Sequence, residues 1–197
     1  MGDYASFLDR PLAFTDLEMT GLEPIRFVNG NLQPWHEICE IGLVLADQRT
    51  LEILDTLDIR VKIEHINRAD PKALEVNGYR KEDWSDAVTL QQAMATYNQK
   101  VTGAVFAAHN VTYDWGFIEL AYKLTGITAS MDYHRIDLLT FAKATLEAKG
   151  YELDKYRLSR LAEFVGLHPE PLPHRAINGA MSAYQVYKAI RDLPVKK

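Results

Sequence analysis

Leu12-Ala13-Phe14-Thr15-Asp16-Leu17-Glu18-Met19-Thr20-Gly21-Leu22 is the stretch on which the fold turns. Its first part is a short apolar run that ends in two acids, the pattern of a buried strand. Thr20-Gly21 reads as the turn that closes it. Successive side chains on a strand alternate faces, so Asp16 and Glu18, two apart, point the same way. Two carboxylates held that close are unfavourable unless one takes a proton or a cation intervenes. A hard divalent ion such as Mg²⁺ suits such a pair, because it needs only one or two carboxylates plus substrate phosphate. Taken alone, an Asp-x-Glu is more often the solvated end of a strand, so the rest of the chain decides.

Working outward, Ile38 to Ala46 is a second strand-like run, and Leu57 to Ile63 alternates apolar and charged residues as a half-exposed edge strand does. Between the first two runs, Glu23 to Trp35 is rich in Pro, Gly and Asn and reads as a loop. Asp70-Pro71 starts a short helix by cap chemistry, and a longer helix is expected over Thr89 to Lys100. Ala104 to Ala108 reads as a buried strand. It feeds a helix that Thr112 caps and Gly126 stops. Asp137 caps a helix over Leu138 to Lys149, stopped by Gly150; Leu158 to Val165 forms another, stopped by Gly166. After Pro171 and Pro173, Ala176, Ala180, Ala183, Tyr187 and Ile190 make a helical stripe. Strands first, then strands alternating with helices, predict an α/β domain with a mixed sheet covered on both faces.

Length and composition set the outer bounds. The 197 residues suit a single domain spanning 1–197, and 47% hydrophobic with 25% charged residues is a globular composition. The one cysteine, Cys39, excludes an internal disulfide framework. No apolar run approaches the roughly 18 residues of a membrane span. Asp3 and Asp9 stand where a leader would need an apolar core, so a cytoplasmic location without membrane partners is expected. A net charge of −5 speaks against broad grip on a long duplex. It leaves room for an acidic cluster that binds cations.

Two further segments carry chemistry. In Ala108-His109-Asn110-Val111-Thr112-Tyr113-Asp114-Trp115, a buried strand leads through a polar turn into a helix. Ligands bind at such strand ends in open α/β sheets. Asp114 falls in the first helical turn, where the helix dipole favours an anion; the bland reading is a helix-terminal acid, with His109 and Asn110 as turn residues. In Pro173-His174-Arg175-Ala176-Ile177-Asn178-Gly179, the histidine stands at the mouth of the last helix. It is placed either to act as a general base or simply to sit at the surface.

Together these segments resemble the DEDDh branch of the 3′–5′ exonuclease superfamily, which includes polymerase proofreading subunits, ribonuclease T and oligoribonuclease. Asp16 to Leu22 resembles the first motif, Glu37 to Gly42 the strand after it, His109 to Asp114 the second motif and His174 to Asn178 the start of the third, in the family's order over roughly Leu12 to Ile190. The resemblance implies a ribonuclease H-like mixed five-stranded sheet with helices on both faces. It implies two-metal phosphodiester hydrolysis with Mg²⁺ or Mn²⁺, releasing nucleoside 5′-monophosphates from single-stranded 3′ ends. Asp16 and Glu18 would bind the ions, Asp114 would support the second, and His174 would activate the nucleophile. Met19, Thr20, Leu22, His109, Asn110 and Tyr113 would line the substrate. Trp35, Tyr113 and Trp115 offer stacking faces, although core packing is the commoner role for each. The same resemblance allows a homodimer.

The sequence departs from the family twice. The third motif runs His-x-Ala-x-x-Asp, and its final acid is Gly179. Three readings stand: a crippled enzyme or retasked binding module, another carboxylate in its place, or a variant of an active parent. Without a substitute acid, weak metal binding and a large loss of rate are expected. The stretch Ile25 to Trp35 is also longer than the family's linker and falls beside the expected site. His36-Glu37-Ile38-Cys39-Glu40 lacks the second histidine of a zinc-peptidase helix and leads into a strand, which excludes that chemistry.

Overall fold

The computed structural model describes residues 6–196; Asp3, read above for a leader, lies outside them. Its main sheet has five strands: β1 (Leu12–Met19), β4 (Ile38–Ala46), β5 (Ile53–Arg60), β6 (Val105–Ala108) and β7 (Arg135–Asp137). Their spatial order is β5-β4-β1-β6-β7. The β1–β4 and β4–β5 pairs are antiparallel, whereas β1–β6 and β6–β7 are parallel. The sheet is therefore mixed and five-stranded, as expected.

Two predicted features need correction. The segment read as a loop from Glu23 to Trp35 contains a hairpin, β2 (Ile25–Val28) against β3 (Asn31–Pro34). Its turn is Asn29-Gly30, both at positive φ (49° and 81°), as a tight two-residue hairpin turn requires. The edge strand runs over Ile53–Arg60 rather than Leu57 to Ile63; its start faces solvent with both faces, so no alternation marks it. Smaller shifts occur at caps. The helix α3 (Thr112–Thr125) has Val111, not Thr112, at its N-cap, and ends at Gly126 in the left-handed conformation. Thr89 forms a capping box with Gln92 ahead of α2 (Leu90–Lys100). Asp70 caps α1 (Pro71–Val76), and Asp137 caps α4 (Leu138–Ala148) by accepting from the Thr140 N–H.

Alternation along β1 divides the core. Leu12 and Phe14 join a cluster under α4, α5 (Leu158–Phe164) and α6 (Ala176–Asp192). Ala13 and Leu17 join the opposite cluster, under α2 and α3. Asp16 and Glu18 continue the Leu12–Phe14 face, so β1 points them toward α6. The start of α6 is seated on β4. A side-chain carbon at Gly42 would collide with the Ala176 backbone, so only glycine permits this approach. Next to it, Glu40 accepts from the Ala176 N–H at 3.2 Å and pairs with the Arg175 guanidinium at 2.9 Å.

Candidate active site

The site forms where strand pairing stops. The β1–β6 register ends at Phe14↔Ala107, so the later part of β1 is not covered by β6. The Leu17 N–H, beyond that limit, donates to Asp114 Oδ1 at 3.1 Å. One hydrogen bond thus ties the first turn of α3 to β1 and brings Asp114 beside Asp16. Glu18 is only 7% exposed. Its carboxylate accepts no hydrogen bond and forms no ion pair among the described residues. Oxygen atoms of Glu18 and Glu170 and a ring nitrogen of His174 all lie within 4.8 Å of one another.

The charges respond as an uncompensated acidic cluster must. Burial, followed by the charges of Asp114, Glu18 and Glu170, holds the Asp16 carboxyl well above the usual carboxylate range. Glu18 is pushed up to about 8 by burial and then by Glu170, Glu40 and Asp114, with Arg175 opposing. Asp114 is raised to about 7 by burial, against the lowering effect of the backbone hydrogen bonds it accepts. A buried, unpartnered carboxylate among hard oxygen donors fits a divalent cation of the Mg²⁺ class.

The remaining predicted residues divide by position. His174 is held by its own N–H, which donates to the Val76 carbonyl at 3.0 Å, while its ring stays 41% exposed. Leu22 and Tyr113 are exposed. Met19 packs on the α2–α3 cluster. Thr20 is buried, with its hydroxyl accepting from the Glu37 N–H at 2.8 Å. Asn110 adopts a left-handed turn (φ 61°), and its carbonyl accepts from the Tyr113 N–H. Burial lowers the His109 pKa, and its Nδ1 has no partner. Trp115 belongs to the core, with Phe106 edge-on and the Arg135 guanidinium 3.4 Å from its ring centre. Trp35 is flanked by Arg26 and Arg68 beside the hairpin. In place of the missing acid, Gly179 lies directly against Asp16: a side-chain carbon there would come 2.6 Å from the Asp16 Cγ.

Sequence reading missed Glu170, Glu40 and Arg175. Glu40 lay inside the quoted strand motif, and its acid in an otherwise apolar run was a usable signal. Glu170 carries none, because only the folded loop before α6 brings it to the site.

The mixed five-stranded sheet carries converging carboxylates at its open end, and its fold is ribonuclease H-like. The chain belongs to the exonuclease family whose model, of the ribonuclease T type, matches residues 13–187, within the DEDDh exonuclease superfamily. Among curated proteins it is 24% identical over 178 residues to protein NEN2 of Arabidopsis thaliana, covering 90% of this chain and 34% of that protein. It is 26% identical over 192 residues to the PolC-type DNA polymerase III of Caldanaerobacter subterraneus, covering 94% of this chain and 12% of the polymerase. The chain therefore spans about a third or less of these two relatives. The E. coli exonuclease I structure in complex with a dA16 oligonucleotide superposes with a TM-score of 0.75 at 16% identity, over 92% of this chain and 41% of that one. The nuclease domain of 3′hExo, a DEDDh family member bound to rAMP, does so with a TM-score of 0.64 at 19% identity, over 98% of both chains.

Proposed function

We propose that this protein is a metal-dependent 3′–5′ exonuclease that trims single-stranded DNA or RNA ends to nucleoside 5′-monophosphates, using two Mg²⁺ or Mn²⁺ ions. The observation that carries this reading is the convergence of Asp16, Glu18 and Asp114 with His174 at the uncovered end of β1. Asp16 and Glu18 would hold the ions, and Asp114 would support the second. Bound ions supply the positive charge that seats the scissile phosphate and steadies the leaving 3′ oxygen. His174, whose ring is accessible, takes the proton of the attacking water. Leu22 and Met19 pack against the terminal base. Tyr113 offers a stacking face worth about 1–3 kcal/mol per base.

Support for the substrate class comes from the neighbours, one holding a dA16 oligonucleotide and another a ribonucleotide. The absent acid at Gly179 favours a second reading, a non-catalytic module that binds nucleic-acid ends. The test is incubation with short single-stranded DNA and RNA, free or blocked at the 3′ end, in Mn²⁺, Mg²⁺ or EDTA. EDTA-sensitive release of 5′-mononucleotides from free 3′ ends is expected. Binding without release, or release from blocked 3′ ends, would overturn the proposal.

A further inference from the structure

We infer that Glu170 supplies the carboxylate that the third motif would place at position 179, as a direct ligand of the cation held by Asp16 and Glu18. The inference rests on the metal-dependent reading above.

Three observations carry it. First, position 179 contributes no ligand as it stands: it is glycine, and a side chain there would enter only if the Asp16 carboxylate, the tip of its side chain, turned aside. Second, Glu18 is buried, accepts no hydrogen bond, and has an oxygen within 4.8 Å of both a Glu170 oxygen and a His174 ring nitrogen. The group facing that carboxylate is another carboxylate, and the nearby Arg175 guanidinium is already bonded to Glu40 and the Asn77 carbonyl. A shared cation makes that pair favourable with both groups ionised. Third, Glu170 has one oxygen committed and one free. Its Oε1 accepts from the Arg175 N–H at 2.9 Å, which fixes the side chain. Its Oε2 is 3.9 Å from His174 Nδ1, too far for a hydrogen bond, so orienting the imidazole does not account for it. The side chain is 15% exposed and lies beside Glu18, which β1 points toward α6.

The loop before α6 thus replaces an acid lost from the helix itself.

Calorimetric titration with Mn²⁺, without substrate, tests this in the intact protein and in Glu170→Gln, Gly179→Asp and the double variant. Glutamine keeps the carbonyl oxygen that accepts from the Arg175 N–H, so the loop should stay in place. Glu170→Gln is expected to weaken Mn²⁺ binding by about tenfold or more, and adding Gly179→Asp is expected to restore it. A purely structural role for Glu170 would not be rescued by an acid on another element. Gly179→Asp alone should leave affinity unchanged. Wild-type affinity in Glu170→Gln, failure of the rescue, or a tenfold gain in Gly179→Asp alone would each overturn the inference while leaving the nuclease reading intact. A wild-type protein that binds no Mn²⁺ would overturn both.

Discussion

The two walls of the site are built differently. One wall is β1 and the first turn of α3. Its acids are set by strand alternation and by a single hydrogen bond from the Leu17 N–H to Asp114. The other is the loop before α6 and the first turns of that helix, seated on β4 through Gly42, Glu40 and Arg175. The first wall carries the three acids that the resemblance matches to motif positions, Asp16, Glu18 and Asp114. In the second, the motif position is glycine and a loop glutamate faces the cluster instead. Acids fixed by sheet register cannot move without moving the core. An acid offered from a loop can be exchanged for another that reaches the same point.

The first wall should therefore be the less tolerant. Asp16→Asn is expected to cost about 10³-fold in turnover, at the upper end of what one electrostatic group at a reacting centre contributes. Steady-state rates on a labelled oligonucleotide would show it; a change under tenfold would mean that β1 is not the catalytic wall.

The second wall should reveal itself in stability. Glu40 is buried and accepts from both Arg175 and the Ala176 N–H. Glu40→Ala is expected to cost about 3 kcal/mol by leaving those donors unsatisfied, or roughly 6–12 °C in Tm for a chain of this size. Thermal melting of the metal-free protein would measure it, and an unchanged Tm would show that the α6 start is held elsewhere.

Both walls meet in the pH response. Carboxylates of an unfolded chain titrate near 4, whereas Glu18 is pushed up to about 8 and Asp114 to about 7 in the folded protein. Between about pH 4 and 8 the folded state binds more protons than the unfolded state, so metal-free stability falls as pH rises through that window. Divalent cations replace those protons. The Tm gain from a fixed Mn²⁺ concentration, worth about 2.7 kcal/mol of stabilisation where that concentration is a hundredfold over Kd, should thus be larger at pH 8 than at pH 6, because Kd falls as the protons leave. Melting curves at the two pH values check this, and a larger gain at pH 6 would contradict it.

The smallest stability effect is expected at the hairpin, where Phe27 and Leu32 are exposed. Phe27→Ser should change stability by no more than about 0.5 kcal/mol, as chemical denaturation would show. A larger loss would make the hairpin part of the first wall.

Much of this was legible in the sequence, for local reasons. The placement of Asp16 and Glu18 on one face followed from strand period alone. Asp70, Thr89 and Asp137 announced their helices by cap chemistry, and Gly126 and Gly166 marked helix ends. The hairpin had a signal in Asn29-Gly30, masked because its short flanking strands are exposed and lack alternation. The start of β5 was hidden for the same reason, since an edge strand with two solvated faces has no period to read. Glu170 could not be found this way. It is a loop acid beside prolines, and its meaning arises only when the loop folds back over β1.

Anomalous scattering from crystals grown with Mn²⁺ and a nucleoside 5′-monophosphate would show whether these walls share divalent cations. Two ions that both touch Asp16 are expected, one of them also bound by Glu18 and Glu170. Ions absent from Asp16, or bound only outside the Asp16–Glu18–Asp114 cluster, would contradict it.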